Sequence, residues 1–380
     1  MTYTILFPIP ALGIGGAEQQ LLELVRGLDR SRFRPIVATF HSGGALEPEF
    51  QAVPGLSIVP LNRHGKWDIT PVWKLAALMR EQRVDIVHAF LPPATSFGVL
   101  AGLLAGTRVK IVSERSGARR DLYFHLRLQD VLSRFADQVL ANSQAGRDNL
   151  IQRGISAGKL AVILNGINPD RVRVDDTAVE RIRAQLAVPQ GGRVVGILAS
   201  LLPVKRHDIF LRAAARVARK RPEVRYAVFG DGPLRRDLEA MSDQLGLRGS
   251  IVFFGWQRDA ANCLAGCDLL VSASEVEGLS NSILEAMGLG VPIIATDIPG
   301  TRELIRHGCT GYLVAAGDDQ ALADAIEHVL DHFEEARSLA LRAREQFSAC
   351  FGLGRMVSQH EALYEALLRP GLQPAVSVGA

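Results

Sequence analysis

The chain has 380 residues, 48% of them apolar and 22% charged, and a formal net charge of +3. That length and apolar content allow two domains with full hydrophobic cores and exclude a disordered chain. A charge so small and so dispersed argues against nucleic acid as a partner, which needs a concentrated basic face, but it suits a polyanionic small molecule.

The opening MTYTILFPIPALGIGGAEQQ has no basic segment ahead of its apolar run. It therefore reads as a buried strand entering a glycine loop and not as a signal peptide. No apolar run approaches the roughly 18 residues of a membrane span. Cys263, Cys267, Cys309 and Cys350 are too few for a disulfide scaffold. Cys263 and Cys267, four apart in a helix-like run with no second pair, are expected to be core thiols. A cytoplasmic enzyme is the expectation.

Short apolar runs alternate with longer helical patterns along the chain, the mark of parallel sheets covered on both faces. In the first half the spacing predicts strands at Thr4–Pro8, Pro35–Thr39, Leu56–Val59, Asp85–Ala89, Val109–Ser113, Gln138–Ala141 and Leu160–Leu164. Helices are clearest at Ala17–Leu28, Pro71–Arg80, Asp121–Phe135 and Gln144–Arg153. Gly15 and Gly16 stand between the first strand and the first helix. They suit an anion or sugar held close to the backbone amides, or equally a tight turn for packing. The spacing is not that of a dinucleotide fingerprint. His88, in DIVHAF, is placed to point from a strand's carboxyl end into a cleft. The stretch Arg115–Arg127 mixes arginines with Leu122, Tyr123 and Phe124. It suits peripheral contact with lipid headgroups or a solvated helix start.

The polar, proline-containing segment Ile167–Arg193 is the expected boundary. Beyond it the pattern restarts with a strand at Val194–Leu198, a helix at Val204–Arg219, and strands ending near Gly230, Phe254, Ser272 and Ala295. Lys205 and Arg206 fall at a strand–helix junction, where Lys205 can bring a compact charge to a diphosphate. Gly230, with Asp231 and Gly232, leaves room for a base or ribose. Glu277 and Gly278 precede Leu279, Ser280, Asn281 and Ser282, whose amides would converge on a diphosphate at a helix start. A carboxylate kept beside such an anion is expected to accept hydrogen bonds from hydroxyls. Glu285, eight residues on, has a competing role: with Ser282 it fits a capping box. Phe347–Leu367 has helical spacing and suits packing against either half.

These residues resemble the retaining glycosyltransferases of the GT-B architecture, the group 1 or family 4 glycosyltransferases. The resemblance runs over roughly residues 5–365 and rests on EGLSNSILEAM from Glu277, then GVPIIATDIPGTRELI and GYLV. It implies an α/β fold of two Rossmann-like domains facing across a cleft. The expected divisions are 1–170 for acceptor binding, 171–350 for the nucleotide sugar, 351–368 as a helix that crosses back, and 369–380 as a frayed tail.

By the same resemblance Glu277, His88 and Lys205 are the catalytic residues, with His88 supporting the reacting centre and not serving as a general base. Gly15, Gly16, Arg206, Gly230, Gly278, Leu279, Ser280, Asn281 and Glu285 bind the donor, Glu285 through the ribose. Asn165 and Gly166 match the pair common at the domain crossing. No metal or cofactor is implied, since the nucleotide sugar is a substrate. The expected partners are a nucleotide-diphosphate sugar and a glycan or lipid-linked acceptor, at the inner face of the membrane. One departure stands out: where the family usually carries an arginine, five residues before the lysine, this chain has Ser200. Arg206 is the expected substitute. Two other readings remain: an epimerase acting on UDP-N-acetylhexosamines, and a sugar-nucleotide-binding protein of a polysaccharide assembly with weak turnover.

Overall fold

The computed structural model describes residues 2–65, 67–115 and 123–369, with backbone alone for 123–127. The chain forms two compact units, Met1–Gly166 joined by the segment from Leu353 onward, and Ile167–Gly352.

The first unit holds seven parallel strands: β1 (Tyr3–Ile9), β2 (Phe33–Thr39), β3 (Ser57–Pro60), β4 (Ile86–Phe90), β5 (Val109–Glu114), β6 (Gln138–Ala141) and β7 (Leu160–Val162). Their order is β3-β2-β1-β4-β5-β6-β7. β1 pairs with β2 from Tyr3 opposite Phe33 to Ile9 opposite Thr39. Because strand side chains alternate in direction, β1 feeds two cores. Ile5, Phe7 and Ile9 meet Leu21, Leu24 and Val25 of the helix Gly16–Gly27 on one face, together with Met356, Leu363 and Tyr364 of the helix Leu353–Leu368. Leu6 faces the other way, toward Leu75 and Met79 of the helix Thr70–Glu81 and Ala94 and Ala101 of the helix Pro92–Ala105.

The last helix thus covers the first sheet. The continuous helix expected over Phe347–Leu367 is broken at Phe351–Gly352. There the carbonyl of Phe351 accepts from the amide of Ile167 at 3.0 Å, and Ile167 bridges Gly352. Backbone groups committed to a neighbouring segment cannot continue a helix ladder.

The second unit holds β8 (Val194–Leu198), β9 (Arg225–Phe229), β10 (Ile251–Gly255), β11 (Leu269–Ser272), β12 (Ile293–Thr296) and β13 (Tyr312–Val314), in the order β10-β9-β8-β11-β12-β13. Every pairing is parallel. β13 was not among the predicted strands; three residues are too few to show an alternation. The helix expected from Val204 starts at His207, because Pro203–Lys205 forms a 3-10 turn and Arg206 takes a left-handed conformation at φ 49°. Cys263 and Cys267 are free thiols buried beside Val194, Phe229 and Leu186, and burial pushes the Cys263 thiol up to about 12. Of the stretch Arg115–Arg127 only Arg115 has a described side chain; Arg119, Arg120, Leu122, Tyr123 and Phe124 lie outside the described side chains, as does the tail beyond Arg369.

Candidate active site

In a doubly wound sheet, ligands settle at the carboxyl ends of the two strands where the order reverses. In the second unit those strands are β8 and β11. The loops that follow them are tied together. The amide of Glu275 donates to the carbonyl of Val204 at 2.9 Å. Lys205 Nζ donates to Glu277 Oε1 at 2.5 Å, and Ser274 Oγ donates to the same oxygen at 2.7 Å. Glu277 Oε2 has no partner among the described residues. The two side chains are 22% and 11% exposed, so the ion pair is accessible from solvent without being a surface pair. From β12, Thr296 Oγ1 donates to the carbonyl of Ser274 at 2.5 Å. Gly300 completes the support: a Cβ there would lie 2.5 Å from the Glu277 carbonyl oxygen, so no larger residue fits beneath this loop.

Beyond Gly278, Leu279 and Ser280 are buried, and Ser280 precedes the helix Asn281–Leu289. Ser280 Oγ and Ser282 Oγ lie 3.1 Å apart. The first turn carries no acidic side chain. Since the helix starts at Asn281, Ser282 is already inside it, and the Ser282–Glu285 capping box does not form. Glu285 is 2% exposed, and its Oε1 accepts from Arg171 Nε at 2.9 Å and from Arg171 Nη2. The carboxylate that the resemblance assigns to the ribose lies below the surface, against a guanidinium that sequence spacing gave no reason to consider.

Arg206, the expected substitute for the arginine missing at Ser200, is already engaged by carboxylates. Its guanidinium is held by Asp208 at 2.9 and 3.0 Å and by Glu275, and these carboxylates raise its pKa. Gly230 is needed for packing: at φ 133° its Cβ would sit 2.0 Å from the carbonyl oxygen of Ala199. His207 opens the helix His207–Lys220 beside the Lys205 loop. It is 2% exposed with neither ring nitrogen hydrogen-bonded, and burial, aided by the Lys205 charge, lowers its pKa to about 4.

In the first unit the reversal falls between β1 and β4. Gly15 precedes and Gly16 opens the helix after β1. Glu18 folds back over this loop, its Oε2 2.1 Å from where a Gly15 Cβ would be, and burial raises its carboxyl pKa. Glu18 went unnoticed in the sequence, where an acid in a first helical turn is ordinary.

His88 was expected at a strand's carboxyl end. It lies inside β4 at 0% exposure, with Nδ1 2.8 Å from Tyr364 Oη and Nε2 2.7 Å from Ser113 Oγ. Burial, then His360 and Arg115, hold its pKa well below the usual histidine range. With both nitrogens hydrogen-bonded, the imidazole is a neutral core group. Beside it Arg115 packs over Phe90 and donates to Asn165 Oδ1 at 3.0 Å. Among the described residues no three His, Cys, Asp or Glu side chains gather as a metal site would require, and no helix is long and apolar enough to cross a membrane.

Two parallel-sheet α/β units of this kind define the GT-B fold. Residues 178–346 match the family described as Glycosyl transferases group 1, and residues 14–171 match Glycosyltransferase Family 4. The chain belongs to the group 1 glycosyltransferases and is a glycosyltransferase. It is 26% identical over 324 residues to N-acetyl-alpha-D-glucosaminyl L-malate synthase of Bacillus anthracis, covering 80% of each chain. To D-inositol 3-phosphate glycosyltransferase of Streptomyces avermitilis it is 28% identical, covering 93% of this chain and 84% of that one. The structure of HepE from Anabaena in complex with UDP and glucose superimposes with a TM-score of 0.86 at 26% identity, over 95% of this chain and 99% of that one.

Proposed function

We propose that this glycosyltransferase moves a hexosyl group from a nucleotide-diphosphate sugar to a glycan or lipid-linked glycan, with retention of configuration, at the cytoplasmic face of a membrane. The observation that carries the donor site is the joining of Lys205 and Glu277 at the switch point of the second sheet. A diphosphate there meets the ammonium of Lys205 and the positive end of the helix that starts at Asn281. HepE, bound to UDP and glucose, supports a uridine nucleotide sugar as the first donor to try.

The chemistry follows from these charges. As the bond between the anomeric carbon and the diphosphate breaks, negative charge grows on the leaving oxygen, where Lys205 and the helix amides oppose it. Glu277 holds sugar hydroxyls through Oε2 while Oε1 keeps Lys205 in place. The acceptor hydroxyl attacks from the face the leaving group departs, and its proton passes to a phosphate oxygen. The test is saturation binding of UDP-, GDP- and ADP-sugars, with and without EDTA, followed by transfer to a panel of acceptors. Failure of every nucleotide sugar to bind, or binding indifferent to Lys205→Ala, refutes the site.

Ser200 favours a second reading, a donor-binding protein with slow turnover. With Arg206 tied to carboxylates, the diphosphate lacks a charge-assisted contact of about 1.5–3 kcal/mol. Tight donor binding without transfer or donor hydrolysis would select it.

A further inference from the structure

Most exposed apolar side chains of a soluble protein are scattered singly and carry no message. Here the three most exposed fall together. Among the described residues the three most exposed large apolar side chains are Trp67 at 91%, Ile69 at 65% and Trp73 at 61%. All fall within seven residues, on the loop after β3 and the first turn of the helix Thr70–Glu81. In a parallel sheet that loop stands at the carboxyl end, the same end as the Gly15–Gly16 loop.

The loop is shaped to present them. Asp68 folds back on the loop, accepting from the amides of His64 at 2.7 Å and Thr70 at 2.9 Å, and the Thr70 hydroxyl first, then these amides, lower its pKa to about 2. Lys74 Nζ fastens the helix to the carbonyl of Leu61 at 2.6 Å, and Arg63 lies over the Phe97 ring. Residues on either side of the exposed three are thus pinned, and Pro71 and Val72 are buried between them. The apolar tips are held outward by a fixed scaffold.

From this geometry we infer that Trp67, Ile69 and Trp73 form a membrane-docking surface that inserts at the headgroup boundary of an anionic phospholipid bilayer. Two observations choose a bilayer over a protein. Arg63 and Lys74 flank the three against Asp68 alone, a cationic surround that complements anionic headgroups. Three side chains are also too few for a stable protein interface, which takes about 800 Å² from each partner. Indole rings suit the interface, where the apolar body is buried and the N–H stays wet. The surface differs from the Arg115–Arg127 stretch expected from sequence, and it would hold the enzyme beside a lipid-borne acceptor. It does not depend on the donor chemistry.

The chain has three tryptophans, so the surface supplies its own probe. The full chain and a Trp256→Phe variant are mixed with vesicles of phosphatidylglycerol and phosphatidylcholine, and with phosphatidylcholine alone. The expected result is co-sedimentation favouring the anionic vesicles, and a blue shift of emission that persists in W256F. The triple variant W67A/I69A/W73A should bind at least about tenfold more weakly, while its nucleotide-sugar binding and melting temperature match the parent. The proposal is overturned if the parent ignores anionic vesicles, or if the triple variant binds them equally. It is also overturned if the triple substitution abolishes self-association in the absence of lipid, which would identify the covering partner as a second copy. Nucleotide-sugar binding, measured separately, tells this failure from that of the proposed function.

Discussion

Arg171→Ala separates a structural role for Glu285 from a nucleotide-binding one. Arg171 belongs to the 3-10 turn Pro169–Val172, and its guanidinium meets Glu285, whose side chain is 3% exposed while that of Arg171 is 24% exposed. Removing the guanidinium leaves a buried carboxylate without its cation, and breaking a buried pair costs about 3–5 kcal/mol. Because Arg171 is partly open to water, the lower end, about 3 kcal/mol, applies. For a unit of this size each kcal/mol shifts the melting temperature by about 2–4 °C, so the second unit should melt about 6–12 °C lower. Glu285→Ala should cost a similar amount. The pair R171M/E285L, apolar and of similar bulk, should recover most of the loss, since the ions had to be desolvated to meet. The assay is thermal and urea denaturation, beside nucleotide titration well below the transitions. Melting within about 2 °C of the parent, with weakened nucleotide binding, would refute the structural role and restore the ribose contact.

Glu277→Gln keeps the side chain's shape but loses the charge that holds Lys205. Steady-state kinetics should show kcat lowered about 10–100-fold, the value of a charge-assisted hydrogen bond, with the melting temperature little changed. Lys205→Ala should weaken donor binding and lower the rate together, with a flatter salt dependence of binding than the parent's. Stability should fall on acidification: His207, His88 and His360 are held neutral by burial, with His207 at about 4 and His360 at about 3. Below pH 6.5 the unfolded chain takes up protons that the folded chain refuses, so stability is complete above pH 6.5 and drains as pH drops toward 4. A pH series of urea melts should show H207L losing less than the parent over that window. Gly230→Ala should destabilise the second unit by about 1–3 kcal/mol or more, given its φ of 133° and the carbonyl of Ala199 facing it, as read by urea denaturation.

Local chemistry explains which features were visible in the sequence. The strands were visible as short continuous apolar runs, because a strand covered on both faces is apolar throughout, with Ile5 and Phe7 in one core and Leu6 in the other. The helix Pro92–Ala105 shows no single apolar stripe, because it is covered by the sheet and neighbouring helices alike. Glu277 and Lys205 were legible as chemistry because each stands in a loop at a strand's carboxyl end. Their pairing was not, since 72 positions separate them.

By itself the sequence determined the βαβ alternation, the strand ends that carry polar and glycine loops, and the motif from Glu277 to Glu285. Each depends on interactions within a few residues, which composition and spacing record. Only the tertiary structure decided that Glu277 closes on Lys205, that Glu285 turns away to Arg171, and that His88 is sealed between Ser113 and Tyr364. Burial and partner choice are settled by contacts between distant segments, so a carboxylate or imidazole looks alike in sequence whether it ends in a core or at a mouth.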